Sequence, residues 1–344
     1  MTIIGTSRAT RLDLTEGLDF VRYLARKSGF YVVAAILAIT LDFFIPRLVP
    51  GSPADYLVAR LGQGASAGQI RAIYEQFGGK GHVWTDYAHF WGHLFHGELG
   101  ISISNGDLPV REVLASHILW TVILVGVATI VSFVLGTMFG TYAAWRRGTW
   151  VESVLPALTF LQAMPYFFLA TLLLLWFGIH LQWFPSVGGY DFFNHQIGWS
   201  WGFIRDASYH AILPAMTIII ASLAGWVIGM RNQVLTVRDE DYVLLAEAAG
   251  LPRHRVVYYA ARNAILPQVS SFALALSFVV GGSLLTEIVF SYPGIGFMLV
   301  TAVAAHDYAL VQGVFLIITL VVLVANFVAD IVYVALDPRA KQEA

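Results

Sequence analysis

The chain has 344 residues, of which 58 % are hydrophobic and 12 % charged, about half the charged share of an ordinary soluble protein. A mean hydropathy of +0.69 is more apolar character than a compact water-facing fold can hide, and a net charge of −2 gives no basic face for nucleic acid. With no cysteine at all, a disulfide framework, a thiolate metal site, an iron–sulfur cluster and a cysteine nucleophile are excluded, and what remains is an all-α integral membrane protein in a lipid bilayer.

Six stretches are long and apolar enough to cross about 30 Å of hydrocarbon, which takes roughly 20 helical residues. They are 29–46, interrupted by Asp42, then 118–145, 153–179, 211–230, 267–289 and 308–334. Each is a continuous run rather than an alternating segment of about ten residues, so the spacing predicts six transmembrane helices and not a β-barrel. Residues 1–28 precede the first span as a mixed extension, and no small-residue cleavage site follows it, so a removed signal peptide is not expected. The transmembrane domain then covers 29–336, and 337–344 form a short tail.

Lysine and arginine favour the cytoplasmic side. With the N-terminus inside, the inner segments hold fourteen of these residues and the outer segments six, which places both termini in the cytoplasm. The outer loop 48–116 is far longer than a helix hairpin needs, and long loops are commonly functional. The inner loop 231–266 reads as helical with a break at Gly250-Leu251-Pro252. A second outer segment, 182–209, is rich in aromatic residues and glycine.

Several chemistries are missing. No GxxxxGK[ST] loop occurs, so the chain carries no nucleotide site of that kind. Asp42, Glu287 and Asp330 are the ionisable candidates within spans, all toward span ends, where snorkelling or a loop arginine can satisfy them. His89, His93 and His96, with His82 nearby, have the spacing of a helical metal face, but the string HFWGHLFHGELG reads equally as a membrane-surface helix with an aromatic belt, and no metal site is assigned. Asp239, Glu240 and Asp241 sit beside arginines, as a solvated or partner-facing surface does; no catalytic constellation converges. Pro165 and Pro214 fall inside spans three and four, where each removes a donor and favours a kink, and Gly136, Gly140, Gly225, Gly281 and Gly282 allow close helix packing.

The inner loop carries the most specific pattern. The stretch DEDYVLLAEAAGLPRHRVVYYAARNAILP (239–267) has Asp241-Tyr242-Val243, Ala246, Ala248, Gly250, Leu251, then Arg262-Asn263-Ala264 and Pro267. It resembles the coupling loop of ATP-binding-cassette importer permeases, in particular the dipeptide/oligopeptide/nickel branch. The letters Glu247-Ala248-Ala249 spell the general permease motif out of register; the match runs by Gly250 and the spacing to Pro267. The branch commonly has basic residues where Glu247 and Ala249 stand. LVPGSPA (48–54), with Ser52 where aspartate is usual, GELGISIS (97–104), PVREVL (109–114), AMPYFF (163–168), QWFPSVGGY (182–190), HAILPA (210–215), FSYPGIGFMLVTAVAAHDYALVQG (290–313) and LDPR (336–339) are similar to the same branch.

The resemblance implies a type I importer permease fold in a bacterial or archaeal cytoplasmic (inner) membrane. It implies a non-enzymatic subunit that pairs with a second homologous permease, binds two cytoplasmic ATPase subunits and receives substrate from an extracytoplasmic binding protein. ATP and magnesium would be held by the ATPases, with no cofactor in this chain. A short glycine-ended helix can seat in a groove of such a partner, because glycine permits a left-handed helix end and alanines 246, 248 and 249 keep a small face. The outer loop would cap the path and help dock the binding protein. Gln162, Met164, Ser271, Ser277 and Ser283 are the polar or adaptable side chains on spans three and five that could line the path. The substrate implied is a short peptide, with an oligosaccharide, nickel or glutathione open within the branch. An ion-coupled secondary transporter acting alone is the alternative from another class, and a membrane-embedded enzyme a third.

Overall fold

The computed structural model describes residues 6–48, 66–77, 82–146, 149–277 and 284–336, together with positions 54, 58, 59 and 61. In chain order these form α1 (Thr6–Leu48), α2 (Ala67–Phe77), α3 (Val83–Phe95), a hairpin of β1 (Ile101–Ser102) and β2 (Leu108–Pro109), α4 (Val110–Trp145), α5 (Trp150–Ala163), α6 (Tyr166–Leu173) running into a π-helical turn Leu174–His180, α7 (Trp201–Arg238), α8 (Asp241–Ala248), α9 (Arg253–Ser277), α10 (Leu284–Val289), α11 (Ile295–Ala304) and α12 (Tyr308–Leu336). The strands of the hairpin are antiparallel, with Ile101 opposite Pro109.

Among the described residues, four helical stretches are long and apolar enough to cross a membrane: Arg22–Ile45 within α1, Val110–Trp145, Trp201–Arg238 and Tyr308–Ile331. Residues 153–180 supply a fifth only as a broken pair, Ser153–Ala163 and Tyr166–His180, bent by 102°. The third span, expected to be kinked at Pro165, is instead broken there. Proline pushes the preceding residue out of helical geometry; Met164 accordingly has ψ 131, and Pro165 becomes the N-cap of α6. Pro214, by contrast, sits inside the continuous helix α7. The expected fifth span lies partly outside the described residues, which stop at Ser277 and resume at Leu284.

α4 and α7 form the most extensive helix pair. Two glycines make that approach possible: a Cβ on Gly136 would stand 2.2 Å from Trp226 Cβ, and one on Gly140 2.5 Å from the Val227 carbonyl oxygen. Without a hydrophobic drive between helices in lipid, such small-residue seams are what lets dispersion hold a pair together. The main apolar core gathers Val113, Leu124, Ala128, Leu173, Leu213, Ile218, Ile295, Leu310 and Val314 from α4, α6, α7, α11 and α12. Leu119, Val127, Ile130 and Met138 on α4 are exposed, which suits a helix facing lipid or another subunit.

Candidate functional site

Residues 231–266 build a surface from three helix ends. Val237 closes α7, Trp145 closes α4, and Val256 and Ala260 lie in the first turns of α9; all four surround Val243, which is fully buried in α8. Arg238 stacks its guanidinium 5.4 Å from the Trp145 ring centroid, adding a cation–π contact to the same corner. Burying a side chain of this size is worth about 1.5–3 kcal/mol, so a helix of only eight residues is pinned in place by one of its members.

The break after α8 is a complete Schellman motif. Leu251 N–H donates to the Ala246 carbonyl at 3.2 Å and Gly250 N–H to the Glu247 carbonyl at 2.9 Å. Gly250 has φ +74, the left-handed region in which a side chain is strained, and Leu251 returns to pack beside Ala246 in the Val243 cluster. A Cβ at position 250 would meet nothing within 4 Å. The space around that turn is open.

Pinning Val243 inward fixes what points outward. Tyr242, Leu244 and Leu245 are exposed, Leu245 to 71 %, and Tyr258 and Tyr259 at the start of α9 are exposed beside them. Asp241 stands in the first turn of α8, where a carboxylate complements the helix dipole. Ala248 and Ala249 are exposed, but Ala246 turns inward. The expectation of one small alanine face at 246, 248 and 249 is therefore corrected: residues two apart on a helix lie on nearly opposite sides. Arg262, Asn263 and Pro267 are exposed along α9. Pro267 brings no N–H to the carbonyl of Asn263 four residues earlier, which gives the Asn-x-x-x-Pro spacing a local physical meaning.

The candidate path residues are not drawn into one cluster. Gln162 is exposed and its Nε2 lies 3.3 Å from where a Cβ on Gly225 of α7 would stand. Met164 is half-buried at the break between α5 and α6. Ser271 is exposed and donates to the Pro267 carbonyl of its own helix at 3.0 Å. Ser277 ends α9 with a side chain outside the described residues, and Ser283 lies outside them altogether.

At the opposite end of α4 a second constellation forms around Glu287 and Asp307; the sequence singled out Glu287 as an ionisable candidate but not its partners. Glu287 is fully buried; its Oε2 accepts the Gly296 N–H at 2.7 Å, at the N-terminus of α11 where a helix favours negative charge. A Cβ on Gly294 would lie 2.3 Å from that oxygen, and one on Gly296 2.6 Å from Leu284 Cα. Glu287 is therefore wrapped by the Pro-Gly-Ile-Gly turn and does not snorkel. Ile295 N–H donates to Thr121 Oγ1 at 2.8 Å, and Trp120 meets Tyr292 edge-on and Tyr190 face-on. Asp307, 2 % exposed, accepts from Ser102 Oγ at 2.6 Å and from Ser104 N–H and Oγ, while its other oxygen accepts from Leu310 N–H at the start of α12.

Asp330 pairs with Lys27 at 2.9 Å and accepts from the Tyr31 hydroxyl at 3.0 Å, so this span-end acid is satisfied by a lysine and a tyrosine of α1 rather than by a loop arginine. Asp42 differs: it is buried, and its Oδ2 has no hydrogen-bond partner among the described residues. Between α3 and the hairpin, His93 Nδ1 lies 2.7 Å from Glu98 Oε2, a hydrogen bond that holds the Glu98 carboxyl below the usual carboxylate range. Asn194 donates to Asp191 at 2.7 Å and lowers that carboxyl likewise. Among the described residues no three histidine, aspartate or glutamate side chains gather as a metal site would need.

The described chain is a set of apolar helices on whose ends α8 is seated with Tyr242, Leu244 and Leu245 exposed. The chain belongs to the family described as binding-protein-dependent transport system inner membrane component, whose pattern matches residues 136–342, and it is accordingly a multi-pass inner membrane protein. It is 31 % identical over 258 residues to the oligopeptide transport system permease protein AppB of Bacillus subtilis, covering 74 % of this chain and 80 % of that one. It is 29 % identical over 341 residues to the dipeptide transport system permease protein DppB of Escherichia coli, covering 94 % and 99 %.

Proposed function

We propose that this chain forms part of the translocation path of a type I ATP-binding-cassette importer for short peptides, with six spans and both termini cytoplasmic. It pairs with a second homologous permease and engages two cytoplasmic ATPases, which hold ATP and magnesium. An extracytoplasmic binding protein delivers substrate to the outer loop 48–116. This chain contributes no catalytic group; the partners' hydrolysis supplies the free-energy difference between outward- and inward-facing states.

The observation that carries this reading is α8. Its inner side is locked through Val243, its C-terminal turn is fixed by the Gly250 motif, and it presents Tyr242, Leu244 and Leu245 outward. A lever of this kind transmits force between proteins because it cannot yield against its own domain. Asp241, Tyr242, Ala248 and Gly250 form its exposed side, Ala246 and Leu251 its seat, and Arg262, Asn263 and Pro267 the flanking stretch of α9. The peptide substrate is supported by the names of the similar permeases; Gln162 and Met164 on the broken third span and Ser271 on α9 are the described side chains proposed for the path.

The test is purification in mild detergent followed by reconstitution. ATPase subunits should co-purify, and proteoliposomes given the binding protein should accumulate a labelled tripeptide only with ATP inside the cytoplasmic face. A chain that purifies alone and takes up solute with a proton gradient would overturn the importer reading.

A further inference from the structure

The face of α9 that holds α8 continues well past it. Val256 and Ala260 pack with Val243, and the next two positions at the same spacing of four are Ala264 and Gln268; all four are buried. Residues four apart share one face of a helix, so these make a single line about 18 Å long. Ala264 joins the cluster of Met230 and Val234 from α7 and Ala144 from α4. Gln268 ends the line on Gly229 of α7, where a Cβ would stand 2.6 Å from its Nε2. α9 therefore runs antiparallel to α7, and one continuous helix joins the seat of α8 to Gly229.

Little locks α9 along this line. Gln268 is 7 % exposed and makes no hydrogen bond among the described residues. A buried amide without a partner leaves its seat weakly favoured. Ala260 and Ala264 are too small to interdigitate deeply with α7. The seam between α4 and α7 is the contrast: a Cβ on Gly140 would meet the Val227 carbonyl, and Ser222 donates to Ser132 across the seam at 3.0 Å. α7 is thus fastened to α4, while α9 lies on α7 through small side chains. One turn along the same face of α7 stands Gly225, a second notch. Within 4 Å of a Cβ there, only the tip of the exposed Gln162 is met, its Nε2 at 3.3 Å.

We infer that Gln268 is a positioning residue for coupling: it sets the register of α9 on α7, seated on Gly229 here and on Gly225, one turn along, when α8 is displaced by its partner. The inference rests on the assignment of α8 to partner docking and adds the element that carries its movement along the bundle. Packed elements move between discrete seats rather than by continuous deformation, and a one-turn step is about 5.4 Å. Two glycines four residues apart give one amide two equivalent seats. A seat without a hydrogen bond keeps the two close in free energy, so differential contact at α8 selects between them. Gln162, exposed and unbranched, is free to leave the second notch.

The experiment uses the chain with its co-purifying ATPase subunits in phosphatidylcholine nanodiscs. The chain has no cysteine of its own, so Q268C/G229C and Q268C/G225C are oxidised without nucleotide and after trapping with ATP and vanadate. Mass spectrometry quantifies the cross-linked peptides. The 268–229 and 268–225 links should change in opposite directions between the two states, each by about five-fold. Links independent of nucleotide, or a 268–225 link absent in both states, would overturn the inference. G225A keeps Gln268 intact and tests the second seat: its Cβ displaces only a flexible side-chain tip now, but would stand against the Gln268 amide after the step. In proteoliposomes with the binding protein, G225A should keep the parental melting midpoint and ATP hydrolysis yet import about five-fold less trialanine per ATP. Parental import per ATP by G225A would likewise refute the register. Normal ATP-driven uptake by the parent beside nucleotide-independent links refutes the register alone, whereas a parent without ATPase subunits or ATP-driven uptake refutes the importer reading and the inference with it.

Discussion

Asp307 and Ser102 stand 205 residues apart, yet the serine hydroxyl donates to the buried carboxylate at 2.6 Å. The same oxygen takes two further donors from Ser104, and the other carboxylate oxygen takes Leu310 N–H. One side chain thus ties the hairpin before α4 to the first turn of α12. Replacing it by alanine leaves several donors without an acceptor, at about 1–3 kcal/mol for each that water cannot reach. D307A should lower the thermal midpoint in detergent by several degrees and open 97–109 to protease, with D307N intermediate. Equal proteolysis of D307A and the parent would remove the clasp.

The seam between α4 and α7 gives a sharper contrast. Gly140→Leu puts a side chain where a Cβ already lies 2.5 Å from a backbone oxygen, whereas a Cβ on Gly126 meets nothing within 4 Å. Overpacking of this kind costs about 1–3 kcal/mol or more, because backbone cannot step aside. G140L should show poor membrane accumulation and a lowered melting midpoint; G126A should match or slightly exceed the parent. Equal midpoints for the two variants would contradict the close approach.

Gly250→Trp separates folding from coupling. The left-handed position costs a side chain roughly 1–2 kcal/mol, and the open space around it adds no clash within this chain. The variant should reach the membrane and melt close to the parent, yet lose its ATPase subunits or hydrolyse ATP without import. Parental transport by G250W would defeat the assignment of α8 as the coupling helix.

Glu98 offers a test by pH. Its carboxyl is lowered chiefly by the hydrogen bond from His93, with both groups exposed. For a lowered acid, the contribution is present above the ordinary carboxylate range and disappears as pH falls through the shifted value. Carbon-detected NMR titration of Glu98 should therefore show a midpoint below that range, moving back up in H93A. An unmoved midpoint in H93A would separate the two residues.

Cysteine at Gln162, Met164 or Ser271, in a chain with none of its own, reports on the path. Labelling by a water-soluble thiol reagent should change with nucleotide at one or more of these positions. Lipid-like protection at all three, in every nucleotide state, would place the path elsewhere.

Much of this protein could be read from the chain in one dimension. Apolar runs longer than a bilayer is thick announce membrane helices whatever their neighbours, and the Gly250-Leu251-Pro252 break is local chemistry: a residue that tolerates positive φ, then one that cannot continue a helix. Gly136 and Gly140 were legible as packing positions for the same reason. Tertiary structure decided what depends on partners far away in sequence. It turned Ala246 inward and Leu245 outward, because Trp145, Val237 and Val256 converge on Val243 from three helices. It converted Pro165 from a kink into a 102° break. It also gave Glu287 and Asp307 their donors, from a glycine turn and a hairpin. Hydropathy and turn chemistry are properties of neighbouring residues; the satisfaction of a buried carboxylate depends on which distant donors folding brings within 3 Å.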